Sequence, residues 1–157
     1  MKTINVTVSK SDVYEQVKQR ASHIAKKLDM EGSEYERVNP FDKDTAEIEQ
    51  MWDDSANILR EEFRPFTQSG IDEVQGIYAN LSLPDRATVI QDDLENQVKM
   101  YMVFAILRRW MMVTNRPDAD RYETEAGQRR ERIHSALWDR KPKAATMSAN
   151  EKKWINF

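Results

Sequence analysis

The stretch that most constrains this chain is ENQVKMYMVFAILRRWMMVTN, residues 95–115. From 98 to 113 it is apolar almost all the way round a helix. A helix apolar on every side must be surrounded by protein or by lipid. A membrane span needs about 20 uninterrupted apolar residues, and a central arginine is costly there. This run is shorter, and Arg108 and Arg109 lie inside it. The expectation is a central helix in a mainly α domain, a helix that other elements cover on all sides. The same apolar surface can also be buried against further copies of the chain.

At 157 residues the chain reads as one domain. That length supports a core without disulfides or metals. It has no cysteine, which excludes a disulfide framework and a thiolate metal site. The net charge is -3, so bulk charge does not draw it to nucleic acid. The opening MKTINVTVSK lacks the apolar block of a secretory signal, and the expected compartment is a cytoplasm, with no membrane.

Ile4, Val6 and Val8 alternate with Thr3, Asn5 and Thr7, the pattern of a short half-buried strand. Ser9 or Ser11 then caps a helix over 12–28, whose apolar face is Val13, Val17, Ala21, Ile24 and Leu28. Residues 29–43 read as a long surface loop, with Tyr35, Val38 and Phe41 available to pin it. A loop of that length is often functional. Asp44 and Glu47 have capping-box spacing. Ile48, Met51, Trp52, Ser55, Ile58, Leu59 and Phe63 then trace one helical face, which Pro65 ends because proline lacks the amide donor. Ser69 and Gly70 turn the chain.

Ile77, Ala79, Leu81 and Leu83 alternate with polar neighbours and give a second strand. Its partner is either the N-terminal strand or a neighbouring subunit, since a lone ribbon is marginal in water. The third helix starts between Asp85 and Val89. Its main stripe is Ile90, Leu94, Val98, Tyr101, Ala105 and Met112, and Met102, Phe104, Leu107, Trp110 and Met111 extend burial to the other sides. The triplet Asn115, Arg116, Pro117 ends it. Asp120 and Glu123 form a second capping-box pattern before a fourth helix on Tyr122, Ala126, Arg130, Ile133 and Leu137, weakened by Gly127. The fold is thus a four-helix bundle over residues 1–139 with one or two short strands. An extended tail, 140–157, follows.

Several residues invite a functional reading. His23 and His134 have no second histidine at ligand spacing, so they read as surface or packing residues. Asp53 with Asp54 and Glu61 with Glu62 are paired carboxylates, but neighbours on one helix point in different directions, which suits a solvated face better than acid–base chemistry. The segment 42–64 nonetheless holds eight acidic and three basic residues, enough to line an acidic channel. Arg108 and Arg109 either snorkel past the apolar surface or pair with carboxylates of the second helix or of a neighbouring subunit. Arg129, Arg130 and Arg132, with Lys141 and Lys143, are interleaved with acids, so their affinity for DNA is weak. The tail joins basic Arg140, Lys141 and Lys143 to Trp154, Ile155 and Phe157. Large aromatics are favoured interface anchors, so the tail reads as a docking segment.

Taken in order, the elements resemble the small α-helical head–tail connector, or adaptor, proteins of tailed bacteriophages. The resemblance rests on the long helix ending MVFAILRRWMMVTN, then a short break and the helix carrying Tyr122-Glu-Thr-Glu-Ala126. The opening INVTVSKSDVYEQV and the segment WDDSANILREEFRPF are also similar in kind to structural-cluster proteins of phages of gut Bacteroidales. It spans residues 4–138. The resemblance implies a structural virion protein with no reaction and no cofactor. Such a protein is assembled in the bacterial cytoplasm and sits at the head–tail interface. Connectors of this kind form a ring, commonly of twelve, beneath the portal protein. They extend the DNA channel around double-stranded DNA without reading its sequence, and they present a surface to the next neck or tail protein. On that footing Asp53, Asp54, Glu61 and Glu62 would face the channel, Arg108 and Arg109 would pair between subunits, and the tail would dock on a partner. A tail-completion neck protein, a helical regulatory module and a helical-bundle enzyme remain as alternatives. The last would need convergent polar residues inside the bundle.

Overall fold

The computed structural model describes residues 1–27, 45–68, 71–72, 74–114 and 116–142. Strand β1, Lys2–Ser9, leads directly into helix α1, Lys10–Lys27. Helix α2, Thr45–Phe63, ends in a single 3-10 turn, Arg64–Phe66, with Pro65 inside it. Strands β2, Ile71–Asp72, and β3, Gly76–Leu83, precede helices α3, Gln91–Thr114, and α4, Arg116–Trp138. Among the described residues the fold is therefore mainly α, four helices with one small antiparallel sheet.

The sheet order is β1-β3-β2. β1 pairs with β3 over its whole length, from Lys2 opposite Leu83 to Ser9 opposite Gly76, so the second strand finds its partner within the chain. Register follows from burial: Ile4, Val6 and Val8 of β1 and Ile77, Ala79, Leu81 and Leu83 of β3 all face the core. A one-residue slip would turn each of them to solvent. Gly76 is required by the ladder, because a Cβ there would collide with the carbonyl oxygen of Val8. β2 adds only a two-residue ladder, opposite Ala79 and Tyr78. On the outer side of β1 the Glu95 carboxylate accepts a bond from the Thr7 amide at 3.0 Å.

Helix α3 is the centre of the molecule. Leu94, Val98, every residue from Tyr101 to Leu107, Trp110 and Met111 are buried. No single side can dominate such a helix, and each of α1, α2, α4 and β1 packs on it. α3 and α4 form an antiparallel hairpin across a one-residue break. Its open end is closed by a bridge between Ala87 and Arg140, by Lys141 N donating to Arg86 O at 2.7 Å, and by Thr88 Oγ1 donating to Asp139 Oδ2 at 2.6 Å. Two residues assigned to the tail, Arg140 and Lys141, are thus tied to the body. The buried hydroxyls are satisfied within their own helices, Ser55 by Met51 O at 2.7 Å and Thr114 by Trp110 O at 3.0 Å.

Some boundaries differ from the sequence reading. α4 starts at Arg116, so Pro117 opens this helix as well as ending the one before it. Proline is tolerated in a first turn, where its missing N–H has no intrahelical partner. Asp120 consequently lies inside the helix, its carbonyl accepting from Thr124 Oγ1 at 3.1 Å, and the cap expected from Asp120 and Glu123 does not form. α3 begins at Gln91, later than expected, and Ile90 is 62 % exposed just before it. Met112 also leaves the buried stripe: with Val113 it lies on the side of α3 left uncovered, while Met111 and Thr114 beside them stay buried. The loop at 29–43, the cap residue Asp44 and the turn at Ser69 and Gly70 lie outside the described residues, as do Lys143, Trp154, Ile155 and Phe157.

Candidate functional site

Four of the six residues singled out on α2 and α3, Asp54, Glu62, Arg108 and Arg109, converge on one groove between α2, α3 and α4. Helical geometry separates the adjacent carboxylates. Asp53 and Glu61 are exposed. Asp54 and Glu62 turn toward α3 and α4. Asp54 Oδ2 lies 3.7 Å from Arg109 NH1, and its Oδ1 accepts from Gln50 at 3.0 Å. Glu61 pairs with Arg64, in the 3-10 turn that follows its helix, at 3.3 Å.

Glu62 is the most enclosed of the four, its side chain 13 % exposed. It accepts from Arg130 Nε at 3.1 Å and faces His134 Nδ1 at 2.9 Å. Burial alone would raise its carboxyl. The hydrogen bonds from His134 and Arg130, with the charges of both, outweigh that and hold it below the ordinary carboxylate value. Arg108 NH2 reaches Glu123 Oε1 at 3.3 Å, while its Nε is buried without a partner. Both arginines of the apolar helix therefore find carboxylates inside the chain, Arg109 on α2 and Arg108 on α4. Their stems pack on the buried surface and their heads reach the edge, the geometry of snorkelling.

Between these pairs the groove is shallow, with cavities of about 200 Å³ over Tyr101, Ala105 and Ala126 and about 490 Å³ beside Glu62 and His134. Gly127 lines both, and apart from its chain neighbours and its own helix backbone nothing lies within 4 Å of where its Cβ would stand. Asp54, Glu62 and Glu123 each already have a cationic partner. Among the described residues no group of three or more His, Cys, Asp or Glu is placed to hold a metal ion. No helix among them is long and apolar enough to cross a membrane. The charge pairs at the groove's rim pin the acidic helix to the α3–α4 hairpin.

A second polar cluster was not legible in the sequence. Lys10, at the junction of β1 and α1, donates to Glu49 Oε2 at 2.6 Å, and Tyr14 donates to Glu49 Oε1 at 2.9 Å. The Lys10 ammonium also lies 5.1 Å from the Trp52 ring centroid. Burial, then the Glu49 hydrogen bond and the charges of Glu49 and Asp53, push the Tyr14 hydroxyl far above the ordinary phenol value. Burial would likewise raise Glu49, but Lys10 and Tyr14 hold it low. Lys10 and Glu49 are 39 positions apart, so only the fold brings them together.

Comparison with known proteins finds no match: no family model, no curated protein and no solved structure matches this chain.

Proposed function

We propose that this chain is a structural virion protein of a tailed bacteriophage, a ring subunit that joins the portal of the head to the tail and extends the DNA channel. The observation that carries the reading is the α3–α4 hairpin with acidic α2 pinned against it, since a rigid helical body with a charged outer helix is what the resemblance to connectors implies. A ring subunit has to transmit force between neighbours without deforming, and a central helix packed on all sides supplies that stiffness. It also needs a wall along which DNA slides. Like-charged walls disfavour phosphate binding. Asp53 and Glu61, exposed on α2, are the carboxylates best available for that wall, and Asp54 and Glu62 support it from behind through their ion pairs. No reaction is part of this role. The partners are further copies of the chain, twelve in the commonest arrangement, the portal protein and the next neck protein.

The test is a cryo-electron microscopy map of the phage particle, with light scattering of the purified protein beside it. The expected result is a ring of this chain between portal and tail, with Asp53 or Glu61 facing the lumen. A particle without the protein overturns the reading. Placement of Asp53, Asp54, Glu61 and Glu62 all on the outer surface or between subunits overturns the channel assignment. The antiparallel sheet favours a second reading, a tail-completion neck protein, and the ring's position along the neck separates the two.

A further inference from the structure

A cavity of about 450 Å³ lies between α1 and the first turns of α4, and shares no residue with the groove that holds the acidic helix's ion pairs. From α1 it is lined by Gln16, Gln19, Arg20 and His23, and from α4 by Asp118, Arg121 and Tyr122. Two guanidinium groups therefore face one carboxylate, in a chain whose net charge is -3. The cavity thus carries a formal excess of positive charge, and a concave site focuses the field its charges make.

The two arginines are held in a particular way. Arg20 Cζ lies 5.1 Å from the Phe104 ring centroid, and Arg121 Cζ lies 5.8 Å from that of Tyr122. The two rings stack on each other, 6.0 Å apart with planes at 23°. A cation–π contact fixes a guanidinium by its face and leaves its edge of N–H donors unspent. Arg129, over the same Phe104 ring, spends NH1 on Gln97 at 3.1 Å. Arg108, Arg109 and Arg130 each reach a carboxylate, whereas among the described residues Arg20 and Arg121 pair with none. The Nε of Arg20 is sealed from water with no partner at all. An orphaned buried donor is rare and calls for an acceptor.

We infer that this cavity binds a phosphate group, held by the guanidinium forks of Arg20 and Arg121. Arginine forks match the paired oxygens of a phosphate, and positioning them in advance on stacked rings lowers the ordering cost of binding. The side-chain amide of Gln16 and the ring of His23 stand on the same wall as further polar groups, while Gln19 Nε2 donates to Glu15 Oε1 at 3.4 Å. Tyr122 and Ile24 give the apolar surface against which the organic part of a phosphate ester would lie. The inference is independent of the virion role.

The test is a ¹H–¹⁵N NMR titration of the full chain with inorganic phosphate at constant ionic strength, with acetate as the comparison anion. The expected result is saturable shifts confined to residues around Gln19, Arg20, His23 and Arg121, which acetate does not reproduce. Arg121 is exposed, so Arg121→Ala should fold normally and weaken binding about tenfold or more, the loss of one charge-assisted contact. Arg20→Lys keeps the charge but not the fork and should also weaken it. Arg132→Ala, away from the cavity, should change nothing. Shifts that grow linearly, that acetate matches, or that survive Arg121→Ala overturn the inference. A ten-nucleotide oligothymidylate gives the second arm. If it shifts the same residues and phosphate displaces it, the group recognised is a nucleic-acid phosphate; if only inorganic phosphate binds, it is a free phosphate or small ester.

Discussion

Leu107→Ala tests the placement of α3 directly. Leu107 sits midway along the helix and has no exposed surface. The substitution removes three side-chain carbons, worth about 0.8 kcal/mol each in lost burial, or about 2.4 kcal/mol. A cavity term adds to this, because the surroundings relax only partly. With α1, α2, α4 and β1 all packed on α3, little room exists for collapse. A residual void on the order of 50 Å³ at ~24 cal/mol per Å³ adds roughly 1 kcal/mol, for a total of about 3–4 kcal/mol. The assay is urea unfolding followed by far-ultraviolet circular dichroism at neutral pH. The midpoint should fall while the slope stays constant. Val113→Ala, on the same helix but 72 % exposed, is the control and should cost no more than about 0.5 kcal/mol. A loss under about 1 kcal/mol for Leu107→Ala, or equal losses for the two variants, would refute the central position of α3.

Three further outcomes are expected. Glu62 titrates below its ordinary value when folded, so its stabilisation is complete above the ordinary carboxylate value and is lost as pH falls through the lowered one. The stability gap between the wild type and Glu62→Gln should accordingly narrow as pH falls from about 5 through the lowered value; a gap that grows over that range would contradict the charge pairing of Glu62. Gly127→Ala places a methyl group in open space within a helix and should stabilise the isolated chain by about 0.5–1 kcal/mol, read as a raised melting temperature. Removal of residues 144–157 should leave the circular dichroism of the body unchanged yet reduce incorporation into particles, and normal occupancy in infectious particles would show that the tail does not dock.

Much of the fold was legible because burial imposes periodicity. The alternation of Ile4, Val6 and Val8 and of Ile77, Ala79, Leu81 and Leu83 identified both long strands, and the all-round apolar run identified α3 before any contact was known. Pro65 marked the end of α2 for a reason local to its own ring. The start of α4 was misread because Pro117 both ends one helix and opens the next, and the spacing of Asp120 and Glu123 is that of a cap whether or not a helix already runs through it. β2 was missed because two residues carry no period.

The groups of chemical interest were less legible. The paired carboxylates could be named, and their divergence followed from helical geometry, but which member of each pair turns inward depends on where α3 and α4 lie. Arg108 and Arg109 were conspicuous as charges in an apolar run, while their partners Glu123 and Asp54 were fixed only by helix packing. Lys10 with Glu49, and the stacked rings that orient Arg20 and Arg121, left no trace in any local pattern. The reason is physical. Hydrophobic burial is non-directional and acts on every residue of an element, so it writes a repeat into the chain. An ion pair or a stacked ring depends on a few atoms meeting at a defined distance and angle, and residues far apart in the chain meet only after the helices have packed. Sequence alone therefore determined the main elements and most of the core, and the tertiary structure decided which charges are spent and which remain available.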